Sequence, residues 1–144
     1  MRAAEWLVSC SVAFIVEGES LVPEDVTLHV GLAPDVLRHV GDNLKPGSPA
    51  PLYSKHARWA LKSSLDQKVE LQDHLAELLE RIRPVAARFR HFADSADVVL
   101  SIALKYEDGI GDPPLGLSLN PSLLEVLGKA GASIDIDQAV IVDQ

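Results

Sequence analysis

The hydrophobic and polar positions of this chain change period several times, and each period names an element. From Cys10 to Glu17 they alternate: Cys10, Val12, Phe14 and Val16 share one face, and Ser11, Ala13, Ile15 and Glu17 the other. A period of two is that of a half-buried strand, and it stops at Gly18. Pro23 suits the first position of a helix, where Glu24 and Asp25 complement the positive end of the helix dipole. Val26, His29 and Val30 follow at helical spacing. Gly31 supplies the left-handed conformation that ends a helix, with Leu32 folding back as its apolar partner.

Residues 34–51 lose all periodicity. Four prolines and two glycines, with Asp42, Asn43 and Ser48, point to turns and loop, and Val36, Leu37 and Val40 to one short helical turn. A strand returns near Trp59, with Leu61 on the same face. The clearest helix follows: Leu71, Leu75, Leu78, Leu79 and Ile82 form one apolar stripe, opposite Gln72, Asp73, Glu77 and Glu80. Pro84 cannot continue its hydrogen-bond ladder, so a kink or restart is expected there, with Val85, Phe89 and Phe92 carrying the pattern onward. Val98, Leu100, Ile102, Leu104 and Tyr106 define another strand. A loop rich in glycine and proline then runs from Asp108 to Pro114. Asn120 and Pro121 start a helix as cap and first position, Leu123, Leu124 and Leu127 give its buried side, and Gly131 ends it. Ile134 and Ile136 belong to a last strand.

The order strand, helix, strand, long helix, strand, helix, strand predicts one α+β domain over residues 1–144. The expected architecture is a two-layer sandwich: an about four-stranded, mainly antiparallel sheet with helices on one face, ferredoxin-like with an extra long helix. Short crossover helices would make the connection within each half right-handed.

These landmarks also form a recognisable set. They are Gly18, Leu21–Val22–Pro23–Glu24, Gly31–Leu32–Ala33–Pro34, Gly41–Asp42, Trp59–Ala60–Leu61–Lys62–Ser63, Leu71–Gln72–Asp73–His74–Leu75 with Leu78–Leu79, and Ser133–Ile134–Asp135–Ile136–Asp137. Over roughly residues 9–140 the chain resembles the bacterial family called domain of unknown function 4279. It departs from that family's pattern at Arg58, where glycine often precedes the tryptophan. The resemblance implies a fold and no catalytic residues. Small bacterial domains of this kind are associated with toxin–immunity systems.

Charge and cysteine content narrow the classes. A chain of 144 residues with 47% hydrophobic residues has enough apolar side chain for one real core. Its formal net charge of -8 argues against a general nucleic-acid binder, which needs a basic footprint, and suits a basic protein partner. A lone cysteine, Cys10, excludes an intrachain disulfide and makes the reducing cytoplasm the simplest compartment. Leu7–Val8–Ser9–Cys10 spells a lipoprotein-type box, but only Met1 to Trp6 precede it, with Glu5 among them. A secretory signal needs a positive start and about 7–15 apolar residues. The run Leu7 to Val16 is also short of the ~20 residues that span a bilayer, so no membrane role is expected.

Few residues offer chemistry. Asp135 and Asp137 point the same way from a strand, about 6.6 Å apart along it, close enough to share a cation or act as an acid–base pair. The same parity turns Ile134 and Ile136 to the core, which is how a half-exposed strand is ordinarily written. His74 borders the apolar stripe of the long helix without a second histidine at ligand spacing; Glu70 is the nearest acid on its face. Its plain reading is a boundary histidine bonded to a loop. Arg81, Arg83, Arg88, Arg90 and His91 form a basic stretch, either an anion grip or a solvated helix end. Gly109 and Gly111 lack the third glycine or the lysine of a nucleotide loop. From Tyr106 onward there are seven acids and one base, Lys129.

The leading expectation is therefore a non-catalytic protein-binding module, immunity-like, meeting a basic partner through Asp135, Asp137, Glu107 and Asp108, with His74 as a further binding candidate. A small hydrolase or metal-dependent enzyme using His74 with Asp135 or Asp137 is the second reading. A homodimer or larger assembly burying Ala13 and Ile15 on the helix-free face is the third. No cofactor and no metal is implied.

Overall fold

Cys10, Val12, Phe14 and Val16 are almost fully buried at alternate positions of β1 (Leu7–Gly18), so the period of two is the inside–outside period of the sheet. The computed structural model describes residues 7–107 and 118–141. Five strands form the sheet in the order β2-β3-β1-β4-β5, where β2 is Val36–Arg38, β3 Ala57–Lys62, β4 Asp97–Glu107 and β5 Ser133–Ile141. β1 lies at the centre, antiparallel to both β3 and β4; β4 and β5 are parallel.

Helices cover one face of this sheet. α1 (Pro23–Val30) begins at Pro23 and ends at Gly31, whose φ of 85° is the left-handed region, with its N–H donating to the Thr27 carbonyl. α2 (Leu71–Ile82) buries Leu75, Leu78, Leu79 and Ile82. Pro84 tightens the chain into a 3₁₀ turn, Arg83–Val85, rather than stopping it. α3 (Ala86–Phe89) and a second 3₁₀ turn, Arg90–Phe92, follow directly, making residues 71–92 one broken helical run. α4 (Pro121–Ala130) is capped by Asn120, whose side-chain oxygen accepts from Leu123 N–H at 2.8 Å.

The core sits between the helices and the even-numbered positions of β1 and β4. Phe89 is its hub: its ring meets Phe14 edge-on at 4.8 Å between centroids and lies 5.5 Å from Trp59. The Trp59 indole N–H donates to Thr27 Oγ1 at 3.0 Å, which satisfies the one polar atom of a fully buried ring and ties β3 to α1.

The α+β sandwich with a mainly antiparallel sheet is as expected, but its details differ. The described residues form five strands rather than about four. Val36 and Leu37 lie in β2, not in a helical turn, because the free edge of β3 takes them: Val36 pairs with Ala60, and Asp35 Oδ2 accepts from Lys62 N–H at 2.7 Å. The two halves are also unlike. α1 joins antiparallel strands, β2 intervening, and only β4–α4–β5 is a parallel crossover unit, which departs from a ferredoxin-like repeat.

Candidate functional site

β5 is an edge strand, and no described residue pairs with its outer side. Its sequence, SIDIDQAVI, is exposed at every position except Ile134, which is partly buried. Register with β4 sets its faces. Ile134 pairs with Leu100 and Ile136 with Ile102, on the helix side; Asp135 pairs with Ser101 and Asp137 with Ala103, on the open side. The aspartates are therefore turned away from the core, as strand parity predicts. Ile136 keeps that parity but not its burial: at the edge of the sheet it is 41% exposed, while Ile102 beside it is fully buried. Val140, at 53%, is on the same face beyond Gln138. So β5 carries Asp135 and Asp137 on the open face, followed by Ala139 and Ile141, and Ile134, Ile136 and Val140 on the other face with Gln138 among them, and its rim backbone pairs with no described residue.

Glu107, at the end of β4, has the same parity as Ser101 and Ala103 and stands on the open face with Asp135 and Asp137. Lys105 shares that face, opposite Ala139. Neither aspartate forms an ion pair among the described residues, so their charge faces solvent. Asp108 lies outside the described residues, as does the loop containing Gly109 and Gly111.

His74 is elsewhere. It is buried on α2, 1% exposed, and its Nδ1 lies 2.6 Å from Ser63 Oγ in the loop after β3. Through the register, Asp135 is opposite Ser101, Ser101 opposite Ala13, and Ala13 opposite Lys62, the neighbour of Ser63. Three strand spacings make that about 14 Å, and His74 and the aspartates face opposite sides of the sheet. The structure gathers Glu107, Asp135 and Asp137 and leaves His74 apart from them. Among the described residues no three His, Cys, Asp or Glu side chains are grouped so as to hold a metal ion.

The basic stretch is engaged within the fold. Arg88 Nη1 donates to the Val30 carbonyl at 3.1 Å and Arg90 Nη1 to the Gly128 carbonyl at 2.9 Å, so each closes the C-terminal end of a helix. Arg83 Nη2 donates to Ser122 Oγ at 2.8 Å and Arg81 Nη2 to the Lys62 carbonyl at 2.6 Å. Spacing alone cannot show this, since the acceptors, three backbone carbonyls and the Ser122 hydroxyl, are distant in sequence. Cys10 is fully buried, and burial pushes its thiol up to about 11, which removes it as a nucleophile near neutral pH. Burial, and then the nearby Cys10, also raise the Tyr106 hydroxyl. No helix among the described residues is long and apolar enough to cross a membrane.

The exposure of Ile136 and Val140 on one face, and of Ile141 beside Glu107 on the other, is the part of this site that sequence reading missed. Their only sequence signal is position: apolar residues continue to Ile141 along a strand whose helix ends at Gly131.

A family model described as Domain of unknown function (DUF4279) matches residues 8–140. No curated protein and no solved structure matches the chain.

Proposed function

The chain belongs to the DUF4279 family, and from that premise we propose that it is a non-catalytic protein-binding module that takes an extended basic segment of a partner along β5. One observation carries the reading: an exposed edge strand with Asp135 and Asp137 on one face, Ile136 and Val140 on the other, and a rim that no described residue pairs with. Strand addition uses the rim for affinity and alternate side chains for selection. The matching segment alternates lysine or arginine with aliphatic residues, its cations over Asp135 and Asp137 and its aliphatic groups over Ile136 and Val140. Glu107 extends the acidic row, and Asp108 follows it in the chain. In this reading the protein works in the bacterial cytoplasm, capping a basic toxin or nuclease in an immunity-like manner.

The test is a titration of the labelled protein with a short peptide alternating lysine and valine, followed by amide resonances. Shifts confined to β5 and its β4 neighbours are expected, weakened by Asp135→Lys with Asp137→Lys. A glutamate–valine peptide that binds equally well, or shifts outside β5, would refute the reading. Self-association through the open face is the competing account, since Ala13 and Ile15 there are only half-buried. It predicts a mass that rises with concentration in light scattering.

A further inference from the structure

The charges on the open face beside the β5 rim are not of one sign. Asp135 and Asp137 come first, with the uncharged Ser101 and Ala103 next to them on β4. The following open-face positions of β5, Ala139 and Ile141, are uncharged, and there the β4 neighbours carry the charge: Lys105 beside Ala139 and Glu107 beside Ile141. Along the rim from Ser133 towards Ile141 the face is therefore acidic, acidic, basic, acidic.

Lys105 is exposed, and no described carboxylate forms an ion pair with it. Ala139 makes that cation count at the rim. Its side chain ends at Cβ, so it leaves room for the Lys105 stem to lie across β5. A strand added at the rim would stand two strand spacings from β4, roughly 9.6 Å. The long stem of a lysine and the shorter stem of a glutamate together bridge that distance. At the next position the stems are exchanged: Glu107 is short, and a lysine or arginine of the partner supplies the long one.

The helix side of the strand has an order of its own, with Gln138 between the exposed Ile136 and Val140. The two faces together fix a register. A segment bearing lysine at every second position sets one of them against Lys105, and like charges so placed repel. A second copy of β5 does not meet this pattern either, since SIDIDQAVI contains no cation to place over Asp135 and Asp137.

We propose that the partner's segment carries an acidic residue opposite Ala139, paired with Lys105, and cations opposite Asp135, Asp137 and Ile141. Aliphatic residues face Ile136 and Val140, and a polar one faces Gln138. The proposal rests on the β5 reading above and adds to it the residue that selects the register, Lys105.

Three peptides titrated into the labelled protein test it by amide resonances: Lys-Val-Glu-Gln-Lys-Val-Lys, the same residues in reverse order, and Lys-Val-Lys-Gln-Lys-Val-Lys. The first fits an added antiparallel strand and the second a parallel one. One of these two is expected to bind about threefold tighter than the all-lysine peptide, despite its lower charge. Lys105→Glu, a change at an exposed side chain, is expected to turn the preference about threefold the other way, and Lys105→Gln to remove it. Unmoved β1 resonances report that both variants fold. An all-lysine peptide that binds at least as tightly as both others, or a preference indifferent to Lys105→Glu, overturns the proposal and leaves the β5 reading standing. If no peptide shifts β5, that reading fails and this proposal with it. Resonances of β5 that move with protein concentration alone would put a second copy on the rim and overturn it too.

Discussion

Arg90 donates from Nη1 to the carbonyl of Gly128, 2.9 Å away and 38 residues later in the chain. It thereby places a cation at the C-terminal turn of α4, where the helix dipole favours one. Arg88 does the same at Val30 for α1. Two arginines of one helical run thus close two other helices. Arg88→Ala and Arg90→Ala are each expected to cost about 1 kcal/mol, a charged hydrogen bond partly discounted for exposure. Urea midpoints should fall with unchanged slope. If instead the stretch serves an outside anion, stability would stay put.

Trp59 and Phe89 support a second prediction. Thr27→Val keeps the shape of the side chain but strands the buried Trp59 N–H, whose bond to Thr27 Oγ1 is 3.0 Å long. The expected loss is about 1–3 kcal/mol. Phe89→Ala removes the ring that touches both Phe14 and Trp59 and should cost about 3–5 kcal/mol. Thermal unfolding followed by tryptophan fluorescence reads both, and a larger effect for Thr27→Val than for Phe89→Ala would contradict the packing described.

The His39–Glu24 pair makes stability depend on pH. The Glu24 hydrogen bond raises His39 above its ordinary 6.5, and the same bond lowers Glu24 below its ordinary 4.5. For the raised histidine, the stabilisation is complete below 6.5 and fades as pH rises through the folded value. For the lowered glutamate it is complete above 4.5 and fades as pH falls through the folded value. The contribution is therefore fullest between 4.5 and 6.5. Subtracting the pH–stability profile of Glu24→Gln from that of the native chain should give a bell over that window. A flat difference would show that the bond does not form in solution.

Cys10 should resist thiol reagents. A thiol at about 11 rather than 9.0 carries about 100-fold less thiolate at pH 8, before its burial is counted. Disulfide-exchange reagents should label it only on unfolding, and rapid labelling of the native chain would contradict the burial of β1.

Gly131→Ala tests the turn that leads into β5. The backbone there has φ 68°, and an added Cβ would stand 3.0 Å from Ala93 Cβ. The strain should cost about 1–2 kcal/mol. Loss of β5 amide protection ahead of the rest of the sheet would show that this turn positions the proposed binding edge.

Elements that repeat their own period are legible in the sequence. β1, β4 and α2 each carry four or more apolar side chains at one spacing, so their faces follow from local order alone. Proline and glycine marked both ends of α1 for the same local reason. What stayed illegible depends on partners far away. β2 exists because β3 has an edge to fill. Ile136 is exposed because it stands at the edge of the sheet, which no alternation records. Of the candidate site, the outward turn of Asp135 and Asp137 follows from parity. The distance from His74 follows from strand order, which pairs residues tens of positions apart.

The central place of β1 has a consequence for synthesis. Of this sheet's strands, β1 is made before the others, and it is the one that needs partners on both sides. β3 and β4 follow only by Lys62 and Glu107. At about 5–20 residues per second, the wait for the second neighbour lasts several seconds after β1 is made. Through that interval Val12, Phe14 and Val16 have no sheet to bury them, and high contact order slows their eventual closure. A nascent chain arrested before β4 should therefore engage a holding chaperone, and one arrested after it should release.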